Sequence, residues 1–272
     1  MTVQEEQTLV RQAVAGSKEA VEKVVVYLQA DLYNLSIRFL FDTEEGKDAT
    51  QEILIRLITR LSTFEHKSRL KTWAWRIAKN YLINYKESRK TAQNGFSFEA
   101  FSAYLQQDSA QDAYAGPDGP LLELEVKLSC STALLQCLSR EQRIAYLLGE
   151  LFELGSEEGA YVTDTRPENF RKRLSVARER IRGFMQDNCG IVNPDRACRC
   201  QKRIQAGLDS QRIKPGKLNF VGALSQEETV RQVEGLASLA ALYHTQPKYQ
   251  VPGALQDAVR ALIASRKFDV LS

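Results

Sequence analysis

The first ninety residues contain two glycines, Gly16 and Gly46, and no proline. A stretch of that length without breakers excludes a sheet of short strands, which would need turn residues every few positions. Apolar residues recur at three- and four-residue spacing through 8–15, 17–41, 48–61 and 68–89, which predicts a helical domain. Asp48 is placed to cap the third helix, with further acids to meet its positive dipole end.

The fourth of these helices is the most informative. Residues 70–90 mix two tryptophans and two tyrosines with Lys, Arg and Asn. Trp73, Ile77, Tyr81 and Tyr85 form an i, i+4 row flanked by Leu70, Ala74, Ala78 and Leu82, which predicts the buried stripe. Arg76, Lys79, Asn80, Lys86 and Trp75 fall on other faces. Cations hold phosphates and a flat ring takes an unstacked base, so this face suits opened nucleic acid. A solvated basic face on a core helix accounts equally for the cations, and Trp75 is the residue it leaves unexplained.

Net charge is only +3, with 43% apolar and 26% charged residues, ordinary values for a soluble globular chain. The distribution is less ordinary. Residues 66–90 hold eight Lys/Arg against Glu87, whereas residues 42–52 hold five acids against Lys47. Adjacent basic and acidic patches suit two different partners. No apolar run approaches the roughly 18 residues of a membrane span, and the N-terminus lacks a secretory pattern. The expected location is the cytoplasm, with reduced thiols.

Four segments are expected: a helical domain over 1–92, a linker over 93–120, a second helical domain over 121–187 and an extension over 188–272. The linker is rich in Gln, Ser, Ala, Asp and Gly, although Phe96, Phe98, Phe101 and Tyr104 are apolar enough to dock. Helices are predicted over 121–138 and 141–154. A short helix over 157–162, a polar turn at 163–165 and a long basic helix over 167–185 have helix-turn-helix proportions. Thr165 and Glu168 fit a capping box ahead of Pro167. Phe170, Leu174, Ala177 and Ile181 make the buried row, leaving Glu168, Asn169, Arg171, Lys172 and Arg173 for a partner. A plain helical hairpin would look the same. Residues 188–225 read as irregular, and helices are predicted over 227–243 and 253–267.

No local motif for catalysis is present: the two histidines, His66 and His244, are distant, and no phosphate loop or nucleophile elbow occurs. The chain is expected not to be an enzyme and to need no cofactor. The only metal or redox candidate is Cys189 with Cys198 and Cys200. Its one-residue gap is shorter than usual for zinc, and no fourth ligand is evident. Arg199 between them would favour thiolate. Cys130 and Cys137 lie in a helical pattern and are expected in the core.

Together these stretches resemble the bacterial RNA polymerase sigma factors of the extracytoplasmic-function group. Trp73 through Asn80 matches W-L-x-R-I-A-R-N. Asp48, Gln51 and Glu52 with the helix that follows look like D-x-x-Q-E-x-F. Leu138, Gln142 and Arg143 sit on L-P-x-x-x-R, Glu158 and Ala160 on E-I-A, and Arg173, Leu174, Ala177 and Arg178 on R-L-x-R-A-R. The sequence departs from the pattern at Asn84, Glu87, Ser139, Gly159, Asp164, Arg166 and Val176. Segments around Cys189, Cys198–Cys200 and Gln246–Tyr249 look like a tail carried by a subset of these factors.

The resemblance implies an all-α chain of two small helical domains, region 2 and the region 4 helix-turn-helix, with a mostly helical extension. Its partners would be core RNA polymerase, through the clamp coiled coil of the largest subunit, promoter DNA and an anti-sigma factor. Asp48, Gln51, Glu52 and Ile55 would hold the polymerase. His66, Lys67, Arg69, Lys71, Trp75, Arg76, Lys79 and Asn80 would meet the minus-ten element, with the loop at 65–69 taking a flipped base. Arg166, Glu168, Asn169, Arg171, Lys172, Arg173 and Arg178 would meet the minus-thirty-five element. Two rivals remain open on the residues alone: a helix-turn-helix regulator acting without polymerase, and an all-helical adaptor.

Overall fold

A computed structural model describes residues 1–85, 97–107, 113–234 and 247–265. Four helices open the chain: α1 (Val3–Val14), α2 (Lys18–Leu40), α3 (Thr43–Thr59) and α4 (Leu70–Asn84). Thr2 and Glu5 close a capping box on α1, and Ser17 caps α2. α3 begins five residues earlier than the sequence predicts. Asp42, not Asp48, is its cap, accepting from the Glu44 and Glu45 N–H groups at 2.8 Å each. Asp48 is instead an exposed residue within the helix. Gly46 lets α2 and α3 meet closely, since a Cβ there would lie 3.0 Å from the Ile37 backbone.

The second set comprises α5 (Phe98–Gln107), α6 (Gly119–Gln136), α7 (Arg140–Tyr146), α8 (Ser156–Thr163) and α9 (Pro167–Asn188). Helix α5 lies in the expected linker. It docks through Phe98 and Phe101, whose rings lie 5.7 and 5.2 Å from Phe184 on α9, and Tyr104 lies beneath Arg203 and Arg212. Phe96 and Lys86 lie outside the described residues. α7 runs into a wide turn at Leu147–Leu151, so the single helix expected over 141–154 is shorter. Ser139, where the family pattern has proline, caps α7 in a box with Gln142.

The extension is more ordered than its composition suggests. Residues 200–209, expected to be irregular, form α10 (Cys200–Asp209) packed along α6. α11 (Gln226–Glu234) also meets α6, and α12 (Gly253–Ala264) lies on α2 and α3. The predicted helix over 227–243 is described only to Glu234. Two polar anchors fasten this tail. Buried Glu125 on α6 accepts from the Asn219, Phe220 and Val221 N–H groups at 2.8–3.1 Å. Asn34 on α2 exchanges two bonds with the Tyr249 backbone, at 2.9 and 3.0 Å. Arg38 donates to the Pro247 carbonyl and lies 4.6 Å over the Tyr249 ring.

Among the described residues there is no strand, only the isolated bridge between Cys189 and Cys198. One apolar cluster runs from Val10 to Ile263 and takes residues from both helical sets and the tail. No helix is long and apolar enough to cross a membrane among the described residues.

Candidate nucleic-acid interface

On α3, Asp48, Gln51, Glu52 and Ile55 share one stripe, one and two turns apart. Asp48 is exposed and the other three are half-buried, so the stripe is open to solvent. Glu52 pairs with Arg56 at 2.8 Å, and Arg56 lies 4.7 Å over the Tyr81 ring of α4. The acidic stripe is thereby set beside the aromatic edge of α4.

The loop between α3 and α4 is pinned by Phe64, whose ring lies 5.2 Å from Trp73 and 4.6 Å from His66. His66 holds a left-handed backbone, φ 56°, which is uncommon outside glycine. Lys67 pairs with Glu65 at 2.5 Å on the surface. Arg69, also exposed, is tied to a buried acid. It bonds the Glu6 carboxylate at 2.8 and 2.9 Å and the Met1 carbonyl at 2.7 Å. Glu6 also accepts from the Leu70 N–H and the Tyr27 hydroxyl. Lys71 pairs with Asp31 at 2.6 Å and lies over Tyr27. Two of the proposed phosphate contacts thus already tie α4 to α1 and α2.

Trp75 departs most from expectation. Its predicted solvent face is covered: the residue is 8% exposed, and its ring lies 5.0 Å from Phe152, which follows α7. Leu70, Ala74, Ala78 and Leu82, placed at the flank of the stripe, are the fully buried line at 0–1% exposure. Trp73, Tyr81 and Tyr85 are only half-buried. The cause is that α4 has two packed faces, one on α2 and α3 and one on α8. A single-stripe expectation holds for a helix covered from one side.

Around Trp75 the basic residues also have partners. Thr72 donates to Glu158 at 3.0 Å, and Arg76 bonds Asp164 at 3.1 Å while lying 4.9 Å from the Tyr161 ring centroid. Lys79 donates to Asn80 at 2.7 Å. Burial lowers the Lys79 pKa, which also feels Asp164, Arg76 and Arg173. Asn80 itself remains exposed. Asp164 is the left-handed turn residue between α8 and α9, φ 57°, a conformation Asp tolerates. The turn therefore supplies the acid that holds Arg76.

On α9, Glu168, Asn169, Arg171 and Lys172 are exposed and Arg173 is half-buried, while Arg166 precedes the helix in solvent. The expected capping box does not form. Arg166 occupies the cap position without a side-chain bond, and the Thr165 hydroxyl meets Thr163 at 3.0 Å. Glu168 instead pairs with Arg171 at 3.4 Å, and Arg178 with Glu150. Phe170 fills the space over Gly159, where a Cβ would run into its ring. The glycine is therefore a packing requirement of this hairpin, and the aliphatic volume of the family pattern is supplied from α9.

Two arginines missed as organisers join the helical sets. Arg143 donates to the Phe39 carbonyl at the end of α2 and to Leu135, Gln136 and Leu138. Arg140 donates to the Ile83 and Tyr85 carbonyls at the end of α4. Helix C-termini leave carbonyls that attract cations. That requirement is legible in sequence, but which cation meets it is not.

The sigma-70 region 2 family model matches residues 24–91, the stretch that carries both the α3 stripe and α4. The RNA polymerase sigma-H factor of Pseudomonas aeruginosa is 28% identical over 187 residues, covering 68% of this chain and 96% of its own. The ECF RNA polymerase sigma-E factor of Escherichia coli K12 is 27% identical over 182 residues, covering 66% and 94%. Near-complete relatives thus leave about a third of this chain unmatched. A solved complex of the sigma factor RpoE with the anti-sigma factor NepR from Bartonella quintana aligns over 60% of this chain and 94% of that one. Its TM-score of 0.41 and 19% identity are too low to carry an argument. The region 2 match and the two relatives agree in what the chain is similar to: RNA polymerase sigma factors, one of them of the extracytoplasmic-function type.

Proposed function

We infer that the chain binds core RNA polymerase and directs promoter recognition and DNA opening in transcription initiation. The observation that carries this is the region 2 match over 24–91, because both the acidic stripe and the aromatic-basic helix lie inside it. Its role is that of a non-catalytic specificity subunit acting in the cytoplasm, with an anti-sigma factor as a further partner.

The finer assignment divides the chain into residues 1–92 for polymerase and the minus-ten element, 121–187 for the minus-thirty-five element, and linking and tail segments over 93–120 and 188–272. Asp48, Gln51, Glu52 and Ile55 contact polymerase; they form the open stripe. His66 and Lys67 on the loop, with Asn80, receive the opened strand. Asn80 carries both donor and acceptor and so reads a base edge. Extruding a base costs a few kcal/mol, which hydrogen bonds and stacking here offset.

Trp75, Arg76 and Lys79 join that surface only after α8 moves away, since Phe152, Asp164 and Tyr161 now occupy it. Arg69 and Lys71 act first as anchors for α4. On α9, Asn169, Arg171 and Lys172 are the exposed residues that reach duplex DNA, with Arg166 and Arg173 beside them; Glu168 and Arg178 hold neighbours.

The test is promoter-directed transcription with core polymerase and the whole chain. Asn80→Ala and Lys67→Ala are expected to lower open-complex formation without loss of polymerase binding. Unchanged opening in both would sink the assignment of this face. A regulator acting without polymerase would bind duplex DNA yet fail to co-purify with core enzyme.

A further inference from the structure

The tail runs from the second set of helices back to the first and is built into both. It leaves α9 at Cys189 and lays α10 along α6. It then reaches residues 219–221, whose N–H groups all donate to the buried Glu125 carboxylate of α6 at 2.8–3.1 Å. The same segment touches the end of α2. The Phe220 ring stacks 5.8 Å from Phe41, and the Thr43 hydroxyl donates to Asn219. The Gln250 N–H donates to the Ala223 carbonyl at 2.8 Å, joining this piece of tail to the one that carries Tyr249. Phe220 and Tyr249 are both buried, with ring centroids 6.2 Å apart. α12 then sets Leu255, Val259 and Ile263, a buried i, i+4, i+8 row, into the core that α2 and α3 share.

The attachment is deepest at Arg38. Its guanidinium is 1% exposed and donates to the Asn34 carbonyl and side chain at 2.9 Å each and to the Pro247 carbonyl of the tail. A buried charge that loses a hydrogen bond is strongly destabilised, so detaching residues 247–249 is costly. The seam between α4 and α8 is built more weakly. Beside the Trp75–Phe152 pair it has the Thr72–Glu158 bond and the Arg76–Asp164 pair, whose acid is 71% exposed. Exposed ion pairs contribute little. Surfaces of this kind stay together when a second attachment holds them close, because their contact is then intramolecular. Arg140 and Arg143 supply one such attachment at the ends of α4 and α2. The tail supplies another, and it is buried at both ends.

We propose that the tail is an internal strap. Anchored on α6 through Glu125 and on α2 through Asn34 and Arg38, it holds the two helical sets together and so keeps the α4 face of Trp75, Arg76 and Lys79 closed against α8. This regulation rests on the reading of that face as a DNA surface. The two anchors lie on opposite sides of the boundary between the sets, so freeing either end lets α8 leave α4. Release of the strap and opening of α4 are then one coupled equilibrium. Whatever favours the released tail favours DNA access, and DNA on α4 favours release in return.

The test compares the full chain with Tyr249→Ala and with Glu125→Gln, a milder change that keeps the volume of the anchor and decides the case if Tyr249→Ala does not fold. Hydrogen exchange over residues 70–84 and 156–163 is expected to rise in both. Binding of a promoter fragment by the isolated chain is expected to rise roughly tenfold in Tyr249→Ala, with core-polymerase binding retained. Ile213→Ala is the control. Its side chain packs with Leu122 of α6 and Ile204 of α10 in a cluster that takes no residue from the first helical set, so it loosens the tail without freeing the strap, and promoter binding is expected to stay unchanged. Faster exchange along the seam with no gain in promoter binding would uphold the strap and count against the DNA reading of α4. An unchanged seam in both variants, or an equal gain from Ile213→Ala, would overturn the strap.

Discussion

Helices α3 and α4 are neighbours in sequence and in space, yet their proposed functional faces are in opposite states. The α3 stripe of Asp48, Gln51, Glu52 and Ile55 faces solvent. The α4 face of Trp75, Arg76 and Lys79 is shut against Phe152, Tyr161 and Asp164. The difference gives the two surfaces an order. Under the proposed assignment, polymerase would reach α3 directly, whereas DNA would gain the whole of α4 only when α8 is displaced. A ligand moves such an equilibrium only through its differential affinity for the two arrangements. Polymerase favouring the separated one would couple assembly to DNA access.

Gln51→Ala with Glu52→Ala tests the open face. It is expected to weaken core-polymerase binding about a hundredfold, or about 2.7 kcal/mol, as for paired hot-spot residues. Co-purification at undiminished strength would remove α3 from the comparison. Gly159→Ala tests the hairpin that shuts α4. Forcing a methyl against Phe170 is expected to cost about 2 kcal/mol of stability, read as a lowered thermal midpoint.

Phe152→Ala tests the shut face itself. Losing the ring beside Trp75 removes about 1 kcal/mol of aromatic pairing beyond area burial. Tryptophan emission is expected to shift red, and promoter binding by the isolated chain to rise several-fold. A red shift without a gain in binding would mean the cover does not limit DNA access. The smallest effect concerns Glu6. Burial opposes its ionisation, but Arg69, the Leu70 N–H and the Tyr27 hydroxyl prevail and hold its carboxyl below the ordinary range. A depressed carboxyl contributes stability above its unfolded pKa of about 4.3 and loses it as pH falls through the lower folded value. The stability gap between Glu6→Gln and the unaltered chain is therefore expected to be widest near neutral pH and to close in acid. A gap that stays constant would reassign Arg69 to DNA alone.

Local pattern made much of the fold legible. Helices α2, α4, α8 and α9 lie where periodicity puts them, and the Asp164 turn holds as its chemistry allows. Misses cluster where local signals compete. Asp48 and Asp42 both have cap chemistry, and only the observed bonds select Asp42. Residues 200–209 lack a strong apolar row because α10 buries one narrow side, through Ile204.

The sequence by itself determined that the chain is helical, which residues can be cationic or aromatic, and the register of the region 2 motif. These depend on neighbours within one or two turns, where spacing is enough. The tertiary structure alone decided that Trp75 meets Phe152 and that Arg69 meets Glu6. Periodicity says that a face must be covered or a charge paired. It does not say by which distant residue, because that partner is selected by the packing of whole helices.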